Sequence, residues 1–451
     1  MNTSIKTAIN TSQLSDAEAV LREANLRFAN NHPGESAGRQ PVHTVYGGAH
    51  LFAFDTVPKL GRLALRALDR FAPDASSLGR AMGIAEHPSI LAVNERVRDK
   101  LAREPVEDFR IDFEDGYGNR PDREEDEHAV IAAREVIRGV RERTLPPFIG
   151  IRIKPLNEEM RVRSIRTMDL MLTALVRAEA LPERWVVTVP KVTIIEQVDY
   201  VVAVLRHCER ELGLADGTLK FEVMVETPQI VLDRGGRSLL PRILDASDGR
   251  LRGAHFGTYD YTAGCNITAA YQRMQHSACE FAKQFMQVAF AGTAVWLSDG
   301  STTVMPVPLH RETAGGTPLT DLQHAANTAS VHAAWKLHFD DVLHSLSGGF
   351  YQGWDLHPAQ LVSRYAALYS FFLDGIDAAG VRLRNFVDKA AQATLVGDVF
   401  DDAATGQGLL NFFLRGLNSG AITEAEALNM TGLTADEFRG RSFVAIMRGR
   451  K

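Results

Sequence analysis

The chain has 451 residues, of which 45% are hydrophobic and 24% charged, and this composition is typical of a globular protein with a large core. The net charge of −6 and the lack of a basic block exclude the electrostatic footprint of a nucleic-acid-binding protein. Three cysteines without a CxxC pair cannot build a disulfide framework, and neither a signal-peptide core nor an apolar run of ~20 residues occurs. We therefore expect a soluble cytoplasmic protein without a membrane partner.

Short apolar segments alternate along the chain with segments of helical spacing. The eight predicted strands are residues 42–46, 108–115, 148–154, 186–191, 221–227, 251–257, 294–307 and 349–358. Strands that alternate with helices are typical of parallel β/α units, and eight units are the number in a closed (β/α)8 barrel. The seventh strand is ambiguous because two short apolar pieces compete for it.

Two regions fall outside this alternation. Residues 1–40 are predicted to form an N-terminal arm with one helix, and residues 376–451 a wholly helical C-terminal region. The barrel is expected to occupy residues 41–375, with an insertion at about 72–107 because that connection is long for one β/α unit.

Charged or polar side chains follow nearly every predicted strand. They are Glu114, Asp115, Arg152, Lys154, Lys191, Glu226, Asp260, Asp355 and His357. Any one of them could be polar only because its strand reaches the surface. Since the carboxyl ends of barrel strands meet at one mouth, charges of both signs there favour a shared ligand.

Glu226 and Asp260 follow consecutive strands and are candidate oxygen ligands of a Mg²⁺ ion, with Mn²⁺ as the alternative. An ion pair of Glu226 with Lys191 or Arg152, and a cap formed by Asp260, are the competing interpretations. Arg152 offers a planar fork that suits a carboxylate, or a salt bridge at the barrel mouth. A metal on the oxygens of a 2-oxo acid would stabilise the enolate that C–C bond cleavage or formation requires.

Other features predict structural roles. The acidic run at 122–128 is expected to be a solvated helix start, and Glu222 receives no role although it shares a strand with Glu226. His43, His50, His255 and His276 lack the spacing of metal ligands and are interpreted as structural histidines.

Seven segments together resemble the HpcH/HpaI aldolase/citrate lyase superfamily, in particular its citrate lyase beta-subunit-like and malate synthase-related members. They are DFRIDFEDGYG, FIGIRIKPLNEEM, VVTVPK, FEVMVETPQ, HFGTYDYTAG, WLSDGS and GWDLHPAQL. Each motif alone is weak, but their order and spacing match over residues 42–415.

This resemblance implies a TIM barrel of the phosphoenolpyruvate/pyruvate-binding type, Mg²⁺ dependence and homo-oligomers, either trimers or hexamers. It implies that Glu226 and Asp260 hold the metal and that Arg152 grips the substrate carboxylate. The candidate catalytic residues are Arg152, Lys191, Glu114 and Asp115, and the candidate substrate-binding residues are Arg152, Gly257, Thr258 and His357.

The chain departs from the family pattern at two places. Lys154 replaces an asparagine of the family's strand motif, and Gly406 aligns with an aspartate that takes part in acid–base chemistry. Asp401 or Asp402 could replace that aspartate. These departures argue against thioester condensation or hydrolysis of the malate-synthase kind, and the insertion at 72–107 and the helical tail leave an acyl-CoA site unsupported. The expected partner is therefore a small carboxylate, and an acyl-CoA stays open.

Three hypotheses result from the sequence. The first is a metal-dependent carbon–carbon lyase or aldolase that acts on a small 2-oxo or hydroxy acid. The second is a phosphotransferase on a phosphorylated enol, which lacks a nucleotide-binding loop in this sequence. The third is a metabolite-binding barrel without catalysis.

Overall fold

The centre of the molecule is a closed barrel of eight parallel strands in sequential order, with the eighth paired to the first. The structure is a computed structural model that describes residues 14–34, 38–312, 318–388, 394–396, 399–401 and 403–450. The barrel strands are β1 (His43–Gly48), β2 (Asp108–Asp112), β3 (Phe148–Arg152), β4 (Trp185–Val189), β5 (Lys220–Val225), β6 (Leu251–Phe256), β7 (Trp296–Ser301) and β8 (Gln352–Asp355). The predicted (β/α)8 fold is therefore confirmed.

Helices cover the barrel and extend beyond it. Those of the described residues are α1 (Ser15–Asn31), α2 (Thr56–Phe71), α3 (Ala75–Met82), α4 (Ile90–Arg103), α5 (Asp122–Glu142), α6 (Arg161–Arg177), α7 (Ile195–Leu212), α8 (Pro228–Val231), α9 (Leu240–Ala246), α10 (Thr258–Gly264), α11 (Ser277–Phe290), α12 (Asp321–Ser347), α13 (Gln360–Asp388), α14 (Ala403–Asn418), α15 (Glu424–Thr431), α16 (Ala435–Gly440) and α17 (Phe443–Gly449). None of them is long and apolar enough to cross a membrane.

The alternation of strand β5 explains how the barrel presents its charges. Phe221, Val223 and Val225 are fully buried in the apolar core that the strands share with the helices. Glu222 instead bonds to Arg110 of β2, across the barrel. Because successive side chains of a strand point to opposite faces, Glu226, four residues beyond Glu222, belongs to the inner face.

The barrel interior carries a buried ionic layer where branched apolar side chains are the usual filling. Arg110 is 1% exposed; it donates to Glu222 Oε2 at 2.6 Å and to Thr188 Oγ1 at 2.9 Å, and it also pairs with Asp108. His255 of β6 lies 3.1 Å from the same Glu222 oxygen. Glu222, which received no role from the sequence, is therefore a member of this layer.

The structure corrects two further expectations. Strand β7 ends at Ser301, so the second apolar piece of the predicted strand is not part of the sheet. Residue Glu125 of the acidic run is fully buried, 3.2 Å from Lys154, instead of solvated.

The C-terminal region adds helices and one small sheet. Strands β9 (Thr394–Val396) and β10 (Val399–Asp401) pair in antiparallel fashion, so the prediction of a wholly helical region is wrong at these two strands. Phe413 of α14 and Phe443 of α17 are buried in the same apolar core as the barrel helices. The C-terminal helical extension is thus confirmed, whereas the domain boundary near residue 375 stays a prediction.

Candidate active site

Lys191 lies at the centre of the mouth, just beyond β4. Its Nζ is 2.5 Å from Glu114 Oε1, 3.2 Å from Asp260 Oδ2 and 3.4 Å from Asp115 Oδ2. Its φ of +51° is in the left-handed region that non-glycine residues rarely adopt, and its N–H donates to Glu226 Oε1 at 2.7 Å. Burial disfavours its charge, but the carboxylates of Glu226 and Glu114 hold the pKa of Lys191 above its ordinary value.

Arg152, the last residue of β3, is fixed by a carboxylate that the sequence analysis did not single out. Its Nε and Nη2 donate to the two oxygens of Asp112 at 2.7 and 2.5 Å, and its guanidinium lies 4.9 Å from the centre of the Tyr46 ring. Its Nη1 is 3.1 Å from Glu114 Oε2. The sequence could have indicated Asp112, because it lies two residues before Glu114 and its side chain is therefore expected on the same face of the strand.

Glu226 is almost completely buried, with 2% exposure. This burial, together with the nearby Asp260 and Glu114 carboxylates, raises the pKa of Glu226 to about 8 although Lys191 opposes the shift. A Cβ on Gly257 would lie 2.5 Å from Glu226 Oε2, so only glycine leaves room for the carboxyl group beside β6. Glu226 is thus an acid in a confined space, where a proton and a cation would compete for its carboxyl group.

Thr258 begins α10 directly after Gly257. It is 2% exposed, and its Oγ1 has no hydrogen-bond partner among the described residues. A buried hydroxyl without a partner is uncommon in folded proteins and is available to a ligand.

The groups that meet at this mouth form what we call the mouth network. It comprises the carboxylates of Asp112, Glu114, Asp115, Glu226 and Asp260 and the cations of Arg152 and Lys191. When all five carboxyl groups are ionised, they outnumber the two cations, and an additional cation would reduce this excess of negative charge. Burial and the hydrogen bond with Asp115 raise the pKa of Glu114, whereas the hydrogen bond with Glu114 and the nearby Arg152 lower that of Asp115 despite burial.

The network fits a hard divalent cation by its chemistry. Its free donors are carboxylate oxygens, and Mg²⁺ commonly binds one or two protein carboxylates and keeps several waters. Among the described residues, no group of three or more His, Cys, Asp or Glu side chains is arranged so that it could hold a metal ion. A cation at Glu226 and Asp260 would therefore require water or substrate oxygens as its other ligands.

A family profile described as "Domain of unknown function (DUF6986)" matches residues 21–446. The chain belongs to this family. No curated protein matches the chain.

Solved structures similar to this DUF6986 member include a citrate lyase from Burkholderia xenovorans LB400, with 18% identity, a TM-score of 0.56 and coverage of 88% of this chain and 98% of that one. A malate synthase of Haloferax volcanii in a magnesium/glyoxylate complex has 13% identity, a TM-score of 0.47 and coverage of 92% and 98%. The citrate lyase beta subunit of M. tuberculosis with oxaloacetate and magnesium has 14% identity, a TM-score of 0.38 and coverage of 75% and 99%. These proteins are members of the superfamily that the motifs resemble, and the likeness concerns the fold.

Two residues predicted at the strand tips lie apart from the mouth network in this DUF6986 chain. Asp355 is fully buried and faces outward, where His43, His338 and Arg364 bind it at 2.7, 3.0 and 2.9 Å. His357 accepts a hydrogen bond from Ala359 N–H at 3.2 Å and lines a separate pocket. Asp355 is therefore a structural anion, and the substrate-binding role of His357 is not supported by contact with the network.

Lys154 also lies apart from it. Its Nζ donates to the carbonyl of Phe113 at 2.6 Å and lies 3.2 Å from Glu125, so it braces the loop after β2. The position that carries an asparagine in the resembled family thus has a structural role here.

The C-terminal departure has a packing reason. A Cβ on Gly406, in α14, would lie 2.5 Å from a ring carbon of the buried Phe443, so the helix face that bears Gly406 has no room for an aspartate. Asp402 lies outside the described residues, and only the backbone of Asp401 is described. Replacement of the family's aspartate by either residue stays a prediction.

We expect Gly406→Ala to destabilise the protein by about 1–3 kcal/mol, the usual cost of an overpacked core. The matched control is Gly408→Ala in the same helix, where nothing lies within 4 Å of the added methyl group. Since alanine is the better helix former, this control should gain up to about 1 kcal/mol. Urea unfolding of both variants measures the difference, and shifts of the same sign would contradict the packing seen at Gly406.

Proposed function

We propose that the protein is an Mg²⁺-dependent carbon–carbon lyase or aldolase that acts on a small 2-oxo or hydroxy acid through an enolate. The observation that carries the proposal is the mouth network, in which Lys191 joins Glu114, Glu226 and Asp260 from three different strand ends. In barrels of this kind the active site lies at the carboxyl ends of the strands. The ordered motifs that resemble the aldolase/citrate lyase superfamily support the same reaction class.

The charges of the network suit a small carboxylate substrate. Arg152 uses Nε and Nη2 for Asp112, which fixes the plane of the guanidinium and leaves Nη1 directed towards Glu114. A substrate carboxylate would bind Nη1 and the Lys191 ammonium by displacing Glu114 from them. The buried Thr258 hydroxyl, which has no hydrogen-bond partner within the described part of the chain, would donate to a further substrate oxygen.

Proton transfer in this proposal falls to Glu114. The pKa of this carboxyl is raised chiefly by burial, so it exchanges a proton near neutral pH more readily than an exposed glutamate. Lys191 stays charged, because its pKa is held high, and stabilises negative charge that develops on the substrate.

Glu226 and Asp260 are the residues that would hold the divalent ion. Bound there, the ion would supply positive charge close to the oxygens of the substrate. Glu226 must lose its proton to become a ligand, which links cation binding to pH. Assembly as a homo-oligomer, a cytoplasmic location and use of an acyl-CoA stay predictions.

The test is an activity screen with a panel of small 2-oxo and hydroxy acids. We expect cleavage of at least one acid in the presence of Mg²⁺ or Mn²⁺, loss of cleavage in excess chelator, and recovery when excess Mg²⁺ is restored. Full activity in the chelator would sink the metal-dependent mechanism.

Cation binding itself should depend on pH. Because the pKa of Glu226 is raised to about 8, the proton competes with the cation below that pH. We expect the affinity for Mn²⁺, measured by calorimetry, to rise as the pH approaches about 8 and to level off above it. An affinity that is constant across this range would show that Glu226 is not a ligand.

A further inference from the structure

A second pocket lies beside the barrel mouth and shares no residue with the mouth network. It has a volume of about 680 Å³ and is formed by the C-terminal half of α2, the loop after β7 and the segment between β8 and α13. The loop after β7 and His357 after β8 both follow carboxyl ends of strands, so the pocket opens on the same face as the mouth.

Three arginines give this pocket its charge. Arg66 and Arg70 are one turn apart on α2, and Arg311 faces them from the loop after β7. None of the three has an ion pair or hydrogen bond with a carboxylate among the described residues. The one acid that lines the pocket, Asp69, is engaged by Arg98 at 2.6 Å.

Arg66, Arg70 and Arg311 are all exposed, so their guanidinium groups are accessible to a ligand. Like charges one turn apart on a helix repel each other, and an anion bound between them would relieve this repulsion. A guanidinium fork matches the oxygens of phosphate or carboxylate, so the three together would bind a multiply charged anion.

The rest of the wall is apolar or offers a further donor. Phe71, Pro306 and Pro308 form a rigid surface, and the Arg70 guanidinium lies 5.3 Å from the centre of the Phe71 ring. His357 accepts the Ala359 N–H at Nδ1, so its neutral ring carries the proton on Nε2, which can donate to an anion.

We propose that this pocket binds an organic phosphate, with the phosphate oxygens on Arg66, Arg70 and Arg311 and an apolar or planar group against the prolines. Phosphate is favoured over a single carboxylate because three guanidinium groups require more than one negative charge for balance. The pocket volume lies within the range of small-molecule sites. The proposal is independent of the lyase reaction, since its residues and its test are separate from the mouth network.

Adenosine diphosphate serves as the probe, and calorimetric titration of the full chain measures its binding. We expect the double variant Arg66→Gln/Arg70→Gln and the single variant Arg311→Gln each to weaken binding at least tenfold. The matched control is Arg62→Gln, one turn earlier on α2 and outside the pocket, which should leave the affinity within about twofold. Thermal unfolding of each variant confirms that the fold is intact.

Companion titrations with adenosine, inorganic pyrophosphate and citrate separate the parts of the ligand. Measurable binding of the diphosphate, with weaker binding of adenosine and of pyrophosphate, supports a site for both the charge and the apolar group. Citrate that binds more tightly than the diphosphate would overturn the assignment to phosphate. Failure of the diphosphate to bind, or equal affinity in the wild type and the arginine variants, would overturn the site itself.

Discussion

Replacement of Glu226 by glutamine is expected to abolish divalent-cation binding and metal-dependent cleavage while the barrel stays folded. Glutamine keeps the carbonyl oxygen that accepts the Lys191 N–H, at 2.7 Å in the wild type, but it removes the charge that a hard cation requires. We expect the affinity for Mn²⁺ to fall at least about 100-fold, because a hard cation held by only one or two protein carboxylates would lose one of them. Calorimetric titration with Mn²⁺ measures the loss.

The same variant should be more stable than the wild type at alkaline pH without metal. The pKa of Glu226 is raised from 4.5 to about 8 in the folded protein, so the folded state holds this proton more tightly than the unfolded state. The stabilising contribution of that proton is complete below pH 4.5 and is lost as the pH rises through about 8. Glutamine does not titrate, and thermal unfolding near pH 9 should therefore give the variant the higher melting temperature.

The matched control is Glu211→Gln on the exposed face of α7, which should change neither cation binding nor the melting temperature. Retention of Mn²⁺ affinity in Glu226→Gln would exclude Glu226 as a ligand. A lower melting temperature of this variant near pH 9 would show instead that the buried carboxylate is stabilised by its neighbours as an anion.

The mouth network was accessible from sequence because it depends on a rule of topology. Once eight β/α units are recognised, the carboxyl end of each strand must meet the others, and this places Lys191, Glu226 and Asp260 together before any coordinates exist. The alternation of side chains along residues 221 to 226 also predicts the face of the strand on which Glu226 lies.

The errors arise where both faces of a strand are buried. Asp355 is fully buried and Trp354 is only 9% exposed, so the period of two does not reveal which of them faces the barrel. The structure places the Trp354 ring 4.6 Å from that of Tyr46 and leaves Asp355 to bind His43 and His338 on the other side.

The local sequence likewise does not show which charged residues pair with each other. Arg152 could have paired with any carboxylate at the mouth, and only the strand register brings Asp112 opposite it. The register in this case pairs two residues that are 40 positions apart, so the orientation of the guanidinium depends on the assembled barrel.

A substitution in the buried ionic layer below the mouth is also expected to have a large effect on stability. Arg110→Met is expected to destabilise the protein by about 3–5 kcal/mol, because removal of one member of a buried ion pair leaves uncompensated charge inside. Glu222 and Asp108, both at most 2% exposed, would lose their shared guanidinium. Glu222 would keep His255 at 3.1 Å. Among the described residues, Asp108 would keep only uncharged partners such as the Thr44 hydroxyl, which donates to it at 2.9 Å. Urea unfolding measures the loss.

The control for this variant is Arg123→Met on α5, whose side chain is 92% exposed and pairs with Glu127 at 3.1 Å. Since exposed pairs contribute little, we expect a change below about 0.5 kcal/mol. Arg110→Lys should recover part of the stability, because an ammonium restores the charge but cannot reach Glu222, Asp108 and Thr188 with the geometry of the guanidinium. A loss of stability for Arg110→Met as small as that for Arg123→Met would mean that water reaches the carboxylates inside the barrel. Glu226 lies directly above this layer, and the high cost of burial that raises its pKa would then have to be revised.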